Sequence, residues 1–271
     1  MTHPRDLWAQ GRPVLNAWLG IGNPFTAEIM AAQGYDAVTI DVQHGALDYS
    51  DALPMLQAMR ASGVFPMARA PWREPGIVMK LLDAGAMGII CPMVSTPEQA
   101  AEFASFLRYP PRGARSFGPT RVGVAHGLAN YSREANDLVL GLAMIETAEG
   151  MANLDAIAAT PGIDALYIGP SDLSISLSNG RLDPGMDREE PEMIDAIKEI
   201  RASAHRAGIK ACLHCASADY AARGVSWGFD LVTVSADSRL LAQAASASVA
   251  RFRDLAGQGG TAPRTDARQG Y

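Results

Sequence analysis

The stretch Glu192–Ser235, EMIDAIKEIRASAHRAGIKACLHCASADYAARGVSWGFDLVTVS, decides the fold because it holds one pattern twice. Apolar residues at helical spacing run over Glu192–Ala207, Gly208 ends them, and the apolar run Ile209–His214 follows; Ala218–Trp227, Gly228 and Leu231–Ser235 then repeat the order. A helix, a glycine able to take the left-handed turn, and a short buried strand form the alternation that builds parallel α/β folds. Outward from this stretch the unit recurs at the strand cores Val14–Trp18, Ala37–Ile40, Phe65–Arg69, Gly88–Cys91, Leu140–Ile145 and Ala165–Ile168. Helical stretches lie between them at Thr26–Gln33, Ser50–Ser62, Pro75–Ala84, Pro97–Leu107 and Met151–Ala159, closed by glycines such as Gly34, Gly63, Gly85 and Gly162. The strand cores are mostly apolar without alternation, as strands covered on both faces must be. No Gly-rich dinucleotide turn follows an early strand, so eight units in 271 residues predict an α/β fold of the (β/α)8 TIM-barrel type rather than an open doubly wound sheet.

Composition narrows the function. Lys and Arg number 23 against 29 Asp and Glu, a net charge of −6, with 48% hydrophobic residues: enough for a sizeable core, and no basic field to attract nucleic acid. No apolar stretch reaches the roughly 18 to 20 residues of a membrane helix, and Met1–Leu7 lacks the apolar core of a signal peptide, so a soluble, cytoplasmic protein with no membrane partner is expected. Cys91, Cys212 and Cys215 are too few for a disulfide framework and fit a reducing compartment. Cys212 and Cys215 have CxxC spacing, but a strand alternates its side chains and no second pair exists, which argues against a zinc or redox motif. The barrel is expected to fill residues 1–256 as a single domain. The polar, Gly-rich tail 257–271 is expected to be disordered, and the long Arg- and Gly-bearing connection Tyr109–Asp137 to border the site.

Chemistry in such a barrel sits on the loops that follow the strands. Those positions carry Trp18, Asp41 with His44 behind it, Arg69, Glu146, Gly169-Pro170-Ser171-Asp172, His214, and Ser235 with Asp237. Each has an ordinary reading: strand-end carboxylates cap helices and turns, a turn histidine is often structural, as His126 and His205 would be, and Arg69 could pair with a structural carboxylate. Together they make one rim. Glu146 ends a buried strand, where an unpaired charge is costly, and Asp172 would be its neighbour across the sheet. Two carboxylates leave several positions open on an octahedral ion, which suits Mg²⁺ or Mn²⁺, with Co²⁺ or Zn²⁺ as further candidates. The turn at Gly169 lets backbone close on a small carboxylate, His44 is the candidate base, and Arg69 fits an oxyanion clamp.

The ordered motifs Gly34-Tyr35-Asp36, Ile40-Asp41-Val42-Gln43-His44-Gly45, Leu81-Leu82-Asp83-Ala84-Gly85, Arg108-Tyr109-Pro110-Pro111-Arg112-Gly113, Ile145-Glu146-Thr147 and Ile168–Ser174 resemble the class II pyruvate aldolases of the HpcH/HpaI family, over about residues 7 to 255. The resemblance implies a barrel of the phosphoenolpyruvate/pyruvate superfamily, a hexamer built as a trimer of dimers that exchange their last helix, and a small-molecule chemistry of 2-oxo acid and aldehyde. It implies that Glu146 and Asp172 hold the divalent metal, that the Ser171 and Asp172 amides hold the substrate carboxylate, and that Arg69 meets the keto oxygen. It further implies that His44, paired with Asp83, moves the proton, and that Trp18 and Asp41 line the pocket. Three positions depart from the commonest pattern: Gln43 stands where Glu is frequent, Met144 where Gln is, and His214 where an aliphatic residue often shapes the aldehyde pocket.

The implied reaction cleaves a 4-hydroxy-2-oxo acid into pyruvate, or a related 2-oxo acid such as hydroxypyruvate, and an aldehyde, with the cation as electron sink. Lys80, Lys198 and Lys210 fall on predicted helices or at the start of a strand, away from the rim, which disfavours a Schiff-base aldolase. A CoA-ester lyase of the citramalyl or malyl type would use the same logic, but no additional basic or Gly-rich segment offers a nucleotide surface. A non-catalytic ligand-binding barrel would have no need of His44, Arg69, Glu146 and Asp172 together.

Overall fold

The computed structural model describes residues 1–257; the expected tail, from residue 258 onward, lies outside the described residues. Eight strands form the core of the fold: β1 (Val14–Leu19), β2 (Ala37–Asp41), β3 (Phe65–Arg69), β4 (Gly88–Cys91), β5 (Leu140–Ile145), β6 (Ala165–Ile168), β7 (Lys210–Cys215) and β8 (Leu231–Val234). They pair in sequence order, all parallel, and β8 returns to β1 to close the barrel. The predicted (β/α)8 barrel is therefore the observed one.

The surrounding helices are α1 (Pro4–Ala9), α2 (Pro24–Ala31), α3 (Tyr49–Ala58), α4 (Pro75–Ala84), α5 (Pro97–Leu107), α6 (Thr120–His126), α7 (Leu128–Leu138), α8 (Ala148–Ala152), α9 (Leu154–Ala158), α10 (Pro170–Leu177), α11 (Pro191–Arg206), α12 (Ala218–Ser226) and α13 (Asp237–Leu255). Their starts follow from local chemistry. Asn23, Glu74 and Thr96 each accept backbone amides of the first turn while a proline follows as the first helical residue, the combination that fixes a helix start. At the other end of α4, Gly85 takes φ 112°, a left-handed conformation that ends the helix and turns the chain into β4.

Side-chain alternation along the strands separates two apolar layers. Val14, Phe65, Met67, Ile90, Leu142, Tyr167 and Cys212 fill the barrel, and Leu19, Ile40, Ala68, Ile89, Ile145, Ile168 and Cys215 meet the helices. Both faces are thus apolar, which is why the strands read as continuous apolar runs. Cys212 and Cys215 sit in different layers.

The long connection lies at the wrong end for the expected role. Tyr109–Asp137 follows α5, not a strand, so it returns to the amino ends of the strands. There α6 lies over the turns that lead into β3 and β4, with Arg121 donating to the carbonyls of Ala84 (2.6 Å) and Leu56 (3.1 Å). Buried arginines in and beside the segment bond within the protein. Arg108 donates to Asp164 at 2.9 Å, and the fully buried Arg115 donates to Asp83 at 2.7 Å and to the Tyr131 hydroxyl at 2.9 Å. α1 covers the same end, with Trp8 Nε1 donating to the Asp230 carbonyl at 2.8 Å.

α13 behaves differently from the other long helices. Only Asp237 of its residues is buried, and Leu241, Phe252 and Leu255 are 64%, 64% and 70% exposed. Beside β1, β8 and α12 an open apolar cavity of about 400 Å³ is lined by Leu15, Tyr35, Ala221, Val225, Val232 and neighbours. Among the described residues no helix is long and apolar enough to cross a membrane.

Candidate active site

The inward-pointing residue at the carboxyl end of each strand is the next member of the interior layer, so strand alternation alone delivers Trp18, Asp41, Arg69 and His214 to one cavity. Its volume is about 380 Å³, and it is also lined by His44, Met144, Glu146, Gly169, Pro170, Ser171, Asp172 and Met186. Every residue predicted to bind substrate or metal is there. Of the predicted catalytic set, His44 and Arg69 are, and Asp83 is not.

Asp83 lies outside the cavity of this chain. It is the penultimate residue of α4, which runs from the rim back toward the amino ends of the strands, and its Oδ1 accepts from Arg115 there. Within this chain it therefore stands at the opposite end of the barrel from His44. Ser235 and Asp237 also miss the cavity, although their neighbours Ala236 and Ser238 line it. Asp237 instead ties down the wall by accepting from the amides of Gly20 (2.8 Å) and Ile21 (3.1 Å).

Asp41 and Arg69 are direct register partners on β2 and β3. Arg69 donates from Nε (2.7 Å) and Nη2 (2.5 Å) to the two oxygens of Asp41, a bidentate pair buried on both sides. Trp18 Nε1 donates to the same carboxylate at 3.2 Å, and the Arg69 guanidinium lies 4.8 Å over the indole. Burial pushes the Asp41 carboxyl up, but the hydrogen bonds and charge of Arg69 outweigh it and hold the group below the usual carboxylate range. Asp41 Oδ1 also accepts the amides of Gln43 and His44, which turns the chain so that His44 reaches the mouth of the cavity.

Glu146 has the contrary environment. It is 3% exposed, and its Oε1 accepts the Met93 amide at 2.7 Å. Burial, and secondarily the charge of Asp172, push its carboxyl up to about 7 against the downward pull of that amide and of Arg69. Its Oε2 lies against Gly169, just past β6, where a Cβ would come within 2.3 Å and push the carboxylate from its place. Asp172 stands in the first turn of α10, whose start at Gly169 has no side-chain cap, which leaves the Ser171 and Asp172 amides for an anion. Among the described residues no set of three or more His, Cys, Asp or Glu side chains converges. The site thus offers a cation two carboxylates, hard oxygen donors, one of them costly to ionise without a positive partner. That donor set fits Mg²⁺ or Mn²⁺ completed by water and substrate.

His214 is held from behind. Its Nδ1 lies 3.1 Å from the Tyr167 hydroxyl, and its ring meets Trp18 edge-on at 4.5 Å. Burial, aided by the Arg69 charge, lowers its pKa to about 3. Tyr167, Asn16, Thr39 and Thr233, which form this support, were not singled out from the sequence, nor was Met186. Polar residues at inward positions of otherwise apolar strands were the available signal for the first four; Met186 comes from an irregular connection that carries none. Of the departures from the family pattern, Met144 lines the cavity, while Gln43 keeps a buried Oε1 without a hydrogen-bond partner.

A closed parallel barrel with two carboxylates, an arginine and a histidine on its carboxyl-end rim is the layout of a barrel enzyme. The chain belongs to the HpcH/HpaI aldolase/citrate lyase family, whose model matches residues 15–244. It is similar to the hydroxypyruvate/pyruvate aldolase of Rhizorhabdus wittichii, 43% identical over 255 residues that cover 94% of this chain and 100% of that protein. The 4-hydroxy-2-oxo-heptane-1,7-dioate aldolase of Salmonella heidelberg is 35% identical over 250 residues, covering 92% of this chain and 93% of the relative. A solved HpcH/HpaI aldolase/citrate lyase family protein from Burkholderia cenocepacia superposes with a TM-score of 0.81 at 32% identity, over 89% of this chain and 95% of that one. Relatives named as aldolases over nearly the whole chain make this protein a carbon–carbon lyase of the aldolase type.

The buried imidazole makes one stability prediction. His214 takes up a proton in the unfolded chain near its ordinary value of 6.5 but in the folded chain only near 3, so it contributes stability that is present above 6.5 and lost as pH falls toward 3. His214→Leu should flatten the acid side of the stability profile, between roughly pH 6 and pH 4, by up to about 1.4 kcal/mol per pH unit. Denaturant midpoints measured across that range check it, and parallel profiles for variant and wild type would contradict it.

Proposed function

We propose that this chain is a divalent-metal-dependent aldolase that reversibly cleaves 4-hydroxy-2-oxo acids into an aldehyde and pyruvate, or a related 2-oxo acid such as hydroxypyruvate. The observation that carries the reading is Glu146, a buried carboxylate that accepts the Met93 amide, in one cavity with Asp172, Arg69 and the amides that open α10. Glu146 and Asp172 would hold Mg²⁺ or Mn²⁺. Bound there, the ion supplies Lewis acidity toward the keto oxygen of a 2-oxo acid.

The remaining steps belong to the chain. The Ser171 and Asp172 amides take the substrate carboxylate, as a helix start favours an anion. Asp41 fixes Nε and Nη2 of Arg69, which leaves Nη1 to meet the oxygen on which negative charge develops. In cleavage His44 takes the proton of the 4-hydroxyl, the C3–C4 bond breaks, the aldehyde departs, and the electron pair left on C3 takes that proton back to give the methyl group of the 2-oxo acid. In the reverse direction His44, at the mouth of the cavity, accepts the proton from the methyl carbon. Lys80, Lys198 and Lys210 do not line the cavity, in keeping with a reaction that needs no Schiff base.

The assembly we propose is a hexamer, a trimer of dimers that exchange α13. Two facts support it: the exposed Leu241, Phe252 and Leu255 on α13, and the open apolar cavity beside β1, β8 and α12 that such a helix would fill.

Two experiments test these readings. Exhaustive chelation should abolish cleavage of 4-hydroxy-2-oxo acids and added Mg²⁺ or Mn²⁺ restore it; Glu146→Gln and Asp172→Asn should each lose more than the roughly 100-fold that even outer partners of a metal can cost. Full activity after chelation, or borohydride trapping of the enzyme with pyruvate, would overturn the mechanism. For the assembly, Leu241→Glu combined with Phe252→Glu should give a smaller species by light scattering, and an unchanged mass would remove α13 from the interface.

A further inference from the structure

The barrel interior contains a line of polar side chains that the aldolase chemistry leaves unused. Thr39 Oγ1 donates to Asn16 Oδ1 at 3.0 Å, and Asn16 Nδ2 donates to Thr233 Oγ1 at 2.9 Å. Thr233 Oγ1 lies 2.6 Å from the Tyr167 hydroxyl, which in turn lies 3.1 Å from His214 Nδ1. All five side chains are buried, and the chain crosses from β2 to β1, β8, β6 and β7 before it reaches the cavity. In an otherwise apolar barrel such a line is costly unless every member is satisfied, and here each has a partner. It ends at His214, whose Nδ1 is taken by Tyr167, so that Nε2 is the polar edge offered to a ligand.

We propose that His214 is a specificity-determining residue whose Nε2 hydrogen-bonds a hydroxyl group of the substrate, carried either on the 2-oxo acid beside its keto carbon or on the aldehyde. The inference rests on the aldolase reading and deepens it. The line of hydroxyls can run in either direction. If Thr233 donates to Tyr167 and Tyr167 to Nδ1, the proton sits on Nε2, which donates; with the order reversed, Nε2 accepts. A hydroxyl satisfies both cases because it can donate and accept. A methyl or a hydrogen satisfies neither and would bury Nε2 unpaired, which is how a site built for a hydroxyl rejects the analogue that lacks it. Trp18 packed edge-on at 4.5 Å keeps the ring from turning away, and burial keeps it neutral, so it competes neither with Arg69 for Asp41 nor with the amides for the substrate carboxylate.

The test is a ratio of kcat/KM values, which a general loss of activity does not move. With metal-loaded enzyme, hydroxypyruvate is compared with pyruvate against one common aldehyde, and glycolaldehyde with acetaldehyde against one common 2-oxo acid. His214→Leu should lower one of the two ratios roughly tenfold or more, as expected for a lost hydrogen bond in a desolvated site, and the arm that moves identifies which substrate carries the hydroxyl. His214→Gln, which returns a polar group, should recover part of that ratio. Tyr167→Phe, which removes the support behind Nδ1, should lower the same ratio through KM. Both ratios within about twofold of wild type in His214→Leu overturn the proposal, since that is less than one hydrogen bond contributes; should that variant not fold, unchanged ratios in His214→Gln and Tyr167→Phe overturn it equally. A wild-type enzyme that cleaves no 4-hydroxy-2-oxo acid overturns the aldolase reading instead. His214 is then judged by calorimetric affinities of the metal-loaded protein for hydroxypyruvate and pyruvate: a preference lost in His214→Leu supports the proposal, and no preference in wild type contradicts it.

Discussion

Asp41 accepts five hydrogen bonds, two from Arg69 and one each from Trp18 Nε1 and the amides of Gln43 and His44, and the rim is organised around it. A buried ion pair is a weak source of stability, because taking both charges from water offsets most of their attraction. Its value here is positional. The β2–β3 register sets the two side chains next to each other, the bidentate geometry fixes the guanidinium plane, and Trp18 is caught between that plane and His214. Arg69, His44 and the wall that faces His214 therefore share one anchor, whose removal would leave a buried, uncompensated arginine at the centre of the cavity.

The two buried carboxylates of the rim show how one scaffold prepares opposite functions. Asp41 is surrounded by donors and stays ionised. Glu146, pushed up to about 7 by burial and then by the neighbouring charge of Asp172, would gain from a cation. Environments that push like groups apart assign their roles: Asp41 holds protein groups, while Glu146 is left for something the protein does not itself provide. Gly169 belongs to the same arrangement, since the close approach of β6 to Glu146 brings the first turn of α10, with Asp172 and the two free amides, alongside it.

Much of this was legible in the sequence, for physical reasons. Strands buried on both faces are apolar runs bounded by polar or glycine residues, so the expected strand cores agree with the observed strands to within a residue at each end. Rim residues follow from the same alternation: once a strand ends in Asp41, Arg69 or His214, its direction is set. Direction along the chain was harder. The segment 109–137 carries arginines and glycines and looks functional, but it follows α5 and so returns to the far end of the barrel, where Arg115 and Arg121 bond to Asp83 and backbone carbonyls. Within this chain α4 likewise carries Asp83 away from the rim, which its position in a motif does not reveal. Asn16, Thr39, Tyr167 and Thr233 went unread for another reason. A polar side chain inside a strand gives no sign of its partners until the barrel closes and brings distant strands together.

The central claim is that this rim removes a proton from the methyl group of a 2-oxo acid with a divalent ion as electron sink and His44 as the group that takes the proton. Proton exchange at the pyruvate methyl group in deuterated water, followed by NMR without any aldehyde, isolates that step from carbon–carbon bond cleavage. The account predicts exchange with the metal-loaded enzyme that disappears on chelation and falls sharply in His44→Ala. Exchange that continues at the same rate in the chelated protein would contradict it.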